Sequence, residues 1–392
     1  MWQSADVDAT ARDILEIGLL LLVAASAGWL ARAAGLPALL GYLAVGLLVS
    51  PFTPGYVADR HQLQLFAGIG VVLLLFEVGI EIDPLRLGRG NAGLLWLAPV
   101  HTVLVAVAGT LVGVAAGVGL RGAMVLGLAV ALSSSVVVVN ITRSRRRTTN
   151  RATDDALLGW STLQDISGVA IAAGLLASLG LQDRPLWLTL GGIAVFVVVA
   201  VVAAWVLPRV LARIHGEPDL FLLVSVSSGL ALAGLGAEVF GVPLALAAFV
   251  SGLAVSEGPI TAAARRHLLP FRDLFAVLFF VALGSLIDPR AVPAALPWIG
   301  LVLGLVLVVK TGSLYGLGRL ARLSGVRPWQ LAAGLGQMGE FSFVLASIGV
   351  AGRLITAEVY TAVLCGVVVT IVFATLAVRV APQPRRTGQS VA

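Results

Sequence analysis

Thirteen stretches of apolar residues, most of them near the length of a bilayer crossing, leave this chain few architectures. They fall near 13–34, 37–50, 62–82, 92–117, 121–141, 154–179, 186–212, 219–239, 242–256, 268–287, 291–318, 328–350 and 355–380. A crossing helix needs about 20 apolar residues, because inside hydrocarbon every backbone N–H and C=O must be bonded within the segment. Charged residues are 12% of the 392, against about 25% in soluble domains. An all-α polytopic membrane protein is expected, with residues 1–392 forming a single integral membrane domain. The acidic start, "MWQSADVDATARDILEIG", lacks the basic region of a cleaved signal, so the first span is expected to remain. The only cysteine, Cys365, excludes an intrachain disulfide.

The arginines test the span count. Alternate loops hold 19 of them and the opposite set holds six: Arg12, Arg60, Arg121, Arg184, Arg290 and Arg353. By the positive-inside rule the N-terminus lies outside, and the C-terminus and the "RSRRRTTNRATDD" loop lie in the cytoplasm of a cell-membrane protein. A net charge of +6 could suggest a nucleic-acid partner, but the arginines sit in short loops rather than along one soluble face.

The two halves of the chain match. Asp13, Gly35, Pro37, Gly46 and Ser50 correspond to Asp219, Gly241, Pro243, Gly252 and Ser256 at an offset of 206, and "GIEIDP" (79–84) echoes "GSLIDP" (284–289) at 205. Seven spans separate the copies, so they are oppositely oriented. This predicts inverted six-helix repeats over about 12–180 and 217–381, joined by a linker helix over about 186–212. Broken helices are expected in the fifth and twelfth spans. There Ser133, Ser134 and Ser135, and Gly334, Gly336 and Gly339, supply small and helix-weakening residues.

Asp165 and Glu340 are the acids near mid-span, roughly 15 Å from either surface at 1.5 Å per residue. Lys310 is the third mid-span charge and the only lysine; the other 25 basic residues are arginine. A charge at the bilayer centre costs about 2.5–3.5 kcal/mol on an insertion scale, so such groups pair or line a cavity. Lysine releases its proton far more readily than arginine, which favours a titrating role over an inert Asp165–Lys310 salt bridge. Ser161 and Thr162 lie one turn before Asp165 and Gly168 one turn after. Oxygen ligands around one carboxylate suit a monovalent cation, with too little charge for Ca²⁺. Glu77 and Glu81 read as an interfacial charge cluster near Arg86 and Arg89, and Glu16, His101 and Glu238 as span-end or packing residues.

"GYLAVGLLVSP", "GIEIDP", "ALSSSVVVV", "LQDI", "FFVALGSLIDP", the membrane lysine and "GQMGEFSFVLA" together resemble the monovalent cation:proton antiporter-2 family, its Kef-type potassium/proton branch in particular, across roughly 12–378. The resemblance implies a sodium/proton-antiporter-like fold, in which a core with crossed broken helices moves against a dimerisation domain. It makes Asp165 the carboxylate that binds the monovalent cation or the proton, and puts Gln164 where electrogenic members carry a second acid. Lys310 becomes the membrane lysine that can pair with the Asp, and Glu340 and Ser133–Ser135 the polar residues of the two broken helices. Kef-type chains usually continue into a cytosolic regulatory domain, whereas here "PQPRRTGQSVA" follows the last span. No such domain is therefore expected within this chain, which leaves room for a separate regulatory subunit.

The expected activity is secondary transport, not enzymatic catalysis: exchange of K⁺, or Na⁺, for H⁺ by alternating access in a homodimer. No cofactor is expected beyond the transported ions. The expected cation and proton ligands are Asp165, Gln164, Ser134, Ser133, Ser135, Thr162 and Ser161, with Lys310 and Glu340 compensating charge. A channel-like or gated K⁺ efflux pathway on the same fold is the main alternative, ahead of an organic-anion symporter.

Overall fold

The computed structural model describes residues 4–52, 65, 68–70, 72–73, 75–76, 79–80, 92–143, 148–179, 186–214, 216–242, 244–254 and 261–380. Among them every regular element is a helix: α1 (Ser4–Ala33), α2 (Ala38–Leu48), α3 (Ala92–Ala115), α4 (Leu120–Ala131), α5 (Ser135–Arg143), α6 (Arg151–Ser178), α7 (Leu186–Arg213), α8 (Pro218–Glu238), α9 (Leu244–Leu253), α10 (Thr261–Ser285), α11 (Val292–Gly304), a π-helical turn (Leu305–Lys310), α12 (Thr311–Leu320), α13 (Pro328–Leu335), α14 (Glu340–Ala351) and α15 (Ala357–Val380). Helical turns also occur between 65 and 80. Each apolar segment read from the sequence thus carries helix. Among the described residues six helical stretches are long and apolar enough to cross a membrane: Ile14–Ala33, Gly93–Ala115, Ala194–Arg213, Asp219–Glu238, Val292–Leu320 and Ala357–Arg379. The side chains of Glu77, Glu81 and Glu340, and residues 144–147 of the basic loop, lie outside the described residues.

The chain divides into two compact units, and neither follows one half of the sequence. The first takes 1–90 and 169–295, the second 91–168 and 296–392. In the first unit, Leu20 and Ala24 of α1 pack with Val45 of α2 and with Leu278 and Val281 of α10. Phe76 and Ile80 pack with Leu211 of α7 and Phe221 of α8. Two glycine contacts let helix backbones touch. A Cβ on Gly46 would lie 2.0 Å from the Val281 carbonyl oxygen and 2.8 Å from Gly284 Cα; one on Gly252 would lie 2.0 Å from that of Phe76 and 2.8 Å from Gly79 Cα. The offsets of 206 and 205 turn one pair into the other. Gly35 and Gly241, also counterparts, both take positive φ (82° and 67°), which only glycine adopts without strain, at the turns before α2 and α9.

In the second unit, α3 and α4 approach at Gly109 and Gly127, where a Cβ on Gly127 would lie 2.2 Å from the Ala106 carbonyl oxygen. The fifth and twelfth spans are broken, as their serines and glycines predicted: α4 gives way to α5 through 132–134, and α13 to α14 through 336–339. Ser134 caps α5, its Oγ accepting from the Val137 N–H at 3.3 Å. The breaks cross each other. Gly339 N–H donates to the Leu132 carbonyl at 3.1 Å, and a Cβ on Gly339 would lie 2.6 Å from the carbonyl oxygen of Ser133, its counterpart at offset 206.

Candidate functional site

Breaking a helix inside a membrane leaves its last carbonyls without their i+4 donors, and in hydrocarbon no solvent replaces them. Four consecutive carbonyls at the end of α4 each find a donor remote in sequence. Ser342 Oγ donates to Ala129 (2.6 Å), Lys310 Nζ to Val130 (3.0 Å), Gln164 Nε2 to Ala131 (2.8 Å), and Lys310 Nζ again to Leu132 (2.9 Å). The third donor of Lys310 goes to the Gln337 carbonyl at 2.7 Å, in the other break. One ammonium therefore bridges the two interrupted helices where their C-terminal dipole ends concentrate negative partial charge. Its three N–H donors match three carbonyl acceptors. Lys310 is fully buried and ends the π-helical turn, an irregularity that is frequent at functional sites.

The Gln337 side chain clamps the crossing. Its Oε1 accepts from Ser134 N–H and its Nε2 donates to the Ser134 carbonyl, both at 3.1 Å. Ser133 Oγ donates to the Leu335 carbonyl at the end of α13 (2.7 Å), and Met338 N–H donates to Thr370 Oγ1 (3.1 Å).

α6 carries the candidate acid. It starts at a cap, where Asn150 Oδ1 accepts from Thr153 N–H at 2.9 Å. Two positions flank Asp165 and hold it at the crossing: Gln164, through Ala131, and Gly168, where a Cβ would lie 2.2 Å from Leu132 Cδ2. Asp165 is 2% exposed. The counterparts of Gln164 and Asp165 in the second half are Thr370 and Ile371. Thr370 also bonds a broken segment, so one side chain per half ties a long helix to the crossing. The carboxylate has no such twin: Ile371 is buried and apolar.

The remaining residues expected at the site separate by role. Ser161, 2% exposed, lies one turn before Asp165 with its hydroxyl donating to the Leu158 carbonyl at 3.1 Å, and Thr162 is half-buried. Ser133 and Ser134 are buried and use their hydroxyls to brace and cap the broken helices; Ser135 is half-buried at the start of α5. Glu340 begins α14. The three donors of Lys310 go to the carbonyls of Val130, Leu132 and Gln337.

Sequence reasoning missed the part that α3 plays. His101, read as packing, is fully buried, with Nε2 3.3 Å from the Lys310 carbonyl oxygen and 3.1 Å from Ser313 Oγ. Its ring meets Trp160 of α6 edge-on, centroids 5.8 Å apart. Thr102 Oγ1 accepts from Gln164 Nε2 at 3.4 Å. The available signal was an adjacent His-Thr pair at the middle of an otherwise apolar helix. Gln337 was missed because an amide carries no charge.

A family model described as "Sodium/hydrogen exchanger, transmembrane" matches residues 20–381. The chain belongs to that family. It is 30% identical, over 364 residues and 90% of its length, to the putative cation/proton antiporter YbaL of Escherichia coli K12, and spans 65% of that protein. Its fold is similar to that of the sodium proton antiporter MjNhaP1 from Methanocaldococcus jannaschii, with a TM-score of 0.71, 94% of this chain and 97% of the other covered, and 17% identity. A multi-pass membrane protein with crossed broken helices is thus a member of the exchanger family by sequence and has an antiporter fold.

Proposed function

We propose that this protein exchanges a monovalent cation, K⁺ in preference to Na⁺, for H⁺ across the cell membrane, with Asp165 holding either ion in turn. The observation that carries the reading is the buried Asp165 on α6, set against the crossing of two broken helices by its neighbours Gln164 and Gly168. The Gln-Asp pair supports K⁺, since it resembles the potassium branch, and similarity to a putative cation/proton antiporter supports proton coupling.

Competition for one carboxylate couples two flows without both ions being bound together. Ser161 and Thr162, one turn before Asp165, together with Gln164, offer the oxygens of the cation shell. Lys310 balances the helix dipoles at the crossing, so cation or proton need only balance Asp165. Two copies of the chain form the functional unit. Because the neighbouring second acid is replaced by Gln164, the exchange moves one charge each way.

Reconstitution into proteoliposomes carrying a pH-sensitive dye tests the coupling. An outward K⁺ gradient should acidify the lumen of these vesicles but not of vesicles without the protein. K⁺ efflux without acidification would instead show a channel.

A further inference from the structure

Two side-chain contacts join α3 to α6 here, His101 against Trp160 and Gln164 bonded to Thr102, with Thr102 next to His101 in the chain and Trp160 one helical turn before Gln164. His101, Thr102 and Trp160 are 0% exposed and Gln164 is 1% exposed. In this group three buried side-chain atoms have no hydrogen-bond partner among the described residues: His101 Nδ1, Trp160 Nε1 and Gln164 Oε1. Buried polar groups nearly always find a partner in protein or in ordered water.

The surrounding bonds fix what each atom is. The Lys310 carbonyl can only accept, and the Ser313 hydroxyl already donates to the Val309 carbonyl at 2.6 Å, so His101 Nε2 carries the proton and, in the neutral ring, Nδ1 accepts. Gln164 Nε2 donates to the Ala131 carbonyl, so Oε1 is the free end of that amide; the opposite flip would set two oxygens against each other. Trp160 Nε1–H can only donate. The set is thus two acceptors and one donor. A cation would be repelled by the indole N–H, and an anion by the two lone pairs. A water molecule satisfies all three, donating twice and accepting once.

We propose that α3 and α6 hold one ordered water between His101 Nδ1, Trp160 Nε1 and Gln164 Oε1, and that this water pins the Gln164 carboxamide beside the ion-binding Asp165. The role beside Asp165 rests on the function proposed above; the water itself does not. Gln164 is then held at both ends, by Ala131 through its nitrogen and by water through one lone pair of its oxygen, which leaves the other lone pair for the cation shell and Asp165 on a rigid turn.

A structure of the full chain in lipid nanodiscs, solved once in K⁺ and once in Rb⁺, tests it. Density is expected within about 3 Å of all three atoms, unchanged between the two salts. No density there, or density that strengthens with Rb⁺, overturns the proposal. Ultraviolet resonance Raman spectra of wild type minus Trp160→Phe should show a hydrogen-bonded indole N–H for Trp160, and a band of a non-bonded indole would contradict it. In flux assays Trp160→Phe should raise the apparent KM for K⁺ about fivefold, as expected for one weakened hydrogen bond, with a smaller change in maximal rate. An unchanged KM would overturn the pinning of Gln164. If Asp165→Asn still exchanges ions while the density persists, the function reading fails and the water stands.

Discussion

Lys310 shows what one side chain does at the crossing. It is fully buried and gives its three N–H donors to carbonyls at the helix breaks, of which Leu132 also accepts from Gly339 N–H. Replacing it with methionine keeps the bulk but leaves two buried acceptors, Val130 and Gln337, without their donor, at about 1–3 kcal/mol each. Lys310→Met should therefore lower the thermal unfolding midpoint of the detergent-purified protein by many degrees. Lys310→Arg should rescue it only in part, because a planar fork cannot reproduce three converging bonds. An unchanged midpoint in Lys310→Met would show that the ammonium does not support the crossing. Lys310 was conspicuous in the sequence because it is the only lysine, but its partners were not. The acceptors of its three hydrogen bonds are backbone oxygens, which every residue has and no motif marks. His101 was read as a packing residue for a related reason: its partners lie on α6, on α12 and at Lys310, and nothing in the local sequence of α3 shows which helices pack there.

Among the elements, the two breaks were the most legible. Three serines in one span and a glycine-rich run in the other weaken helices at positions matched between the halves, and α4–α5 and α13–α14 part there. The π-helical turn before Lys310 was not legible, since "LGLVLVVK" is an ordinary apolar helical string. At the crossing Gly339 leaves no room for a side chain, because a Cβ would sit 2.6 Å from Ser133 O, a backbone atom held by the opposite break. Gly339→Ala should abolish exchange and sharply reduce folded yield, measured by size-exclusion chromatography. Gly300→Ala on α11, where a Cβ would meet nothing within 4 Å, should leave both intact. Equal behaviour of the two would contradict the tight crossing. Gln337→Leu removes both bonds to Ser134 and should cost roughly 2–4 kcal/mol, read as a loss of thermal stability; no loss would mean that the clamp carries no weight.

For the whole molecule, the sequence displayed the helical class, the number of apolar segments and the matching halves. It did not display that each compact unit takes a segment from both halves, because packing partners follow from three-dimensional closure rather than chain order. The arginine asymmetry predicts an orientation, with the C-terminus in the cytoplasm, that is open to direct measurement. In a variant with Cys365→Ser, a cysteine at Ser324 should react with a membrane-impermeant maleimide only after the cytoplasmic face is exposed, and one at Ala116 should react in intact cells; both positions are exposed. The reverse pattern would invert the topology. The central claim concerns Asp165, and K⁺-driven proton flux in proteoliposomes of Asp165→Asn tests it most directly. Asn cannot exchange a proton or offer a negative charge, so coupled flux should fall to the level of empty vesicles while the purified protein remains folded. Coupled K⁺/H⁺ exchange at the wild-type rate in that variant would contradict the account.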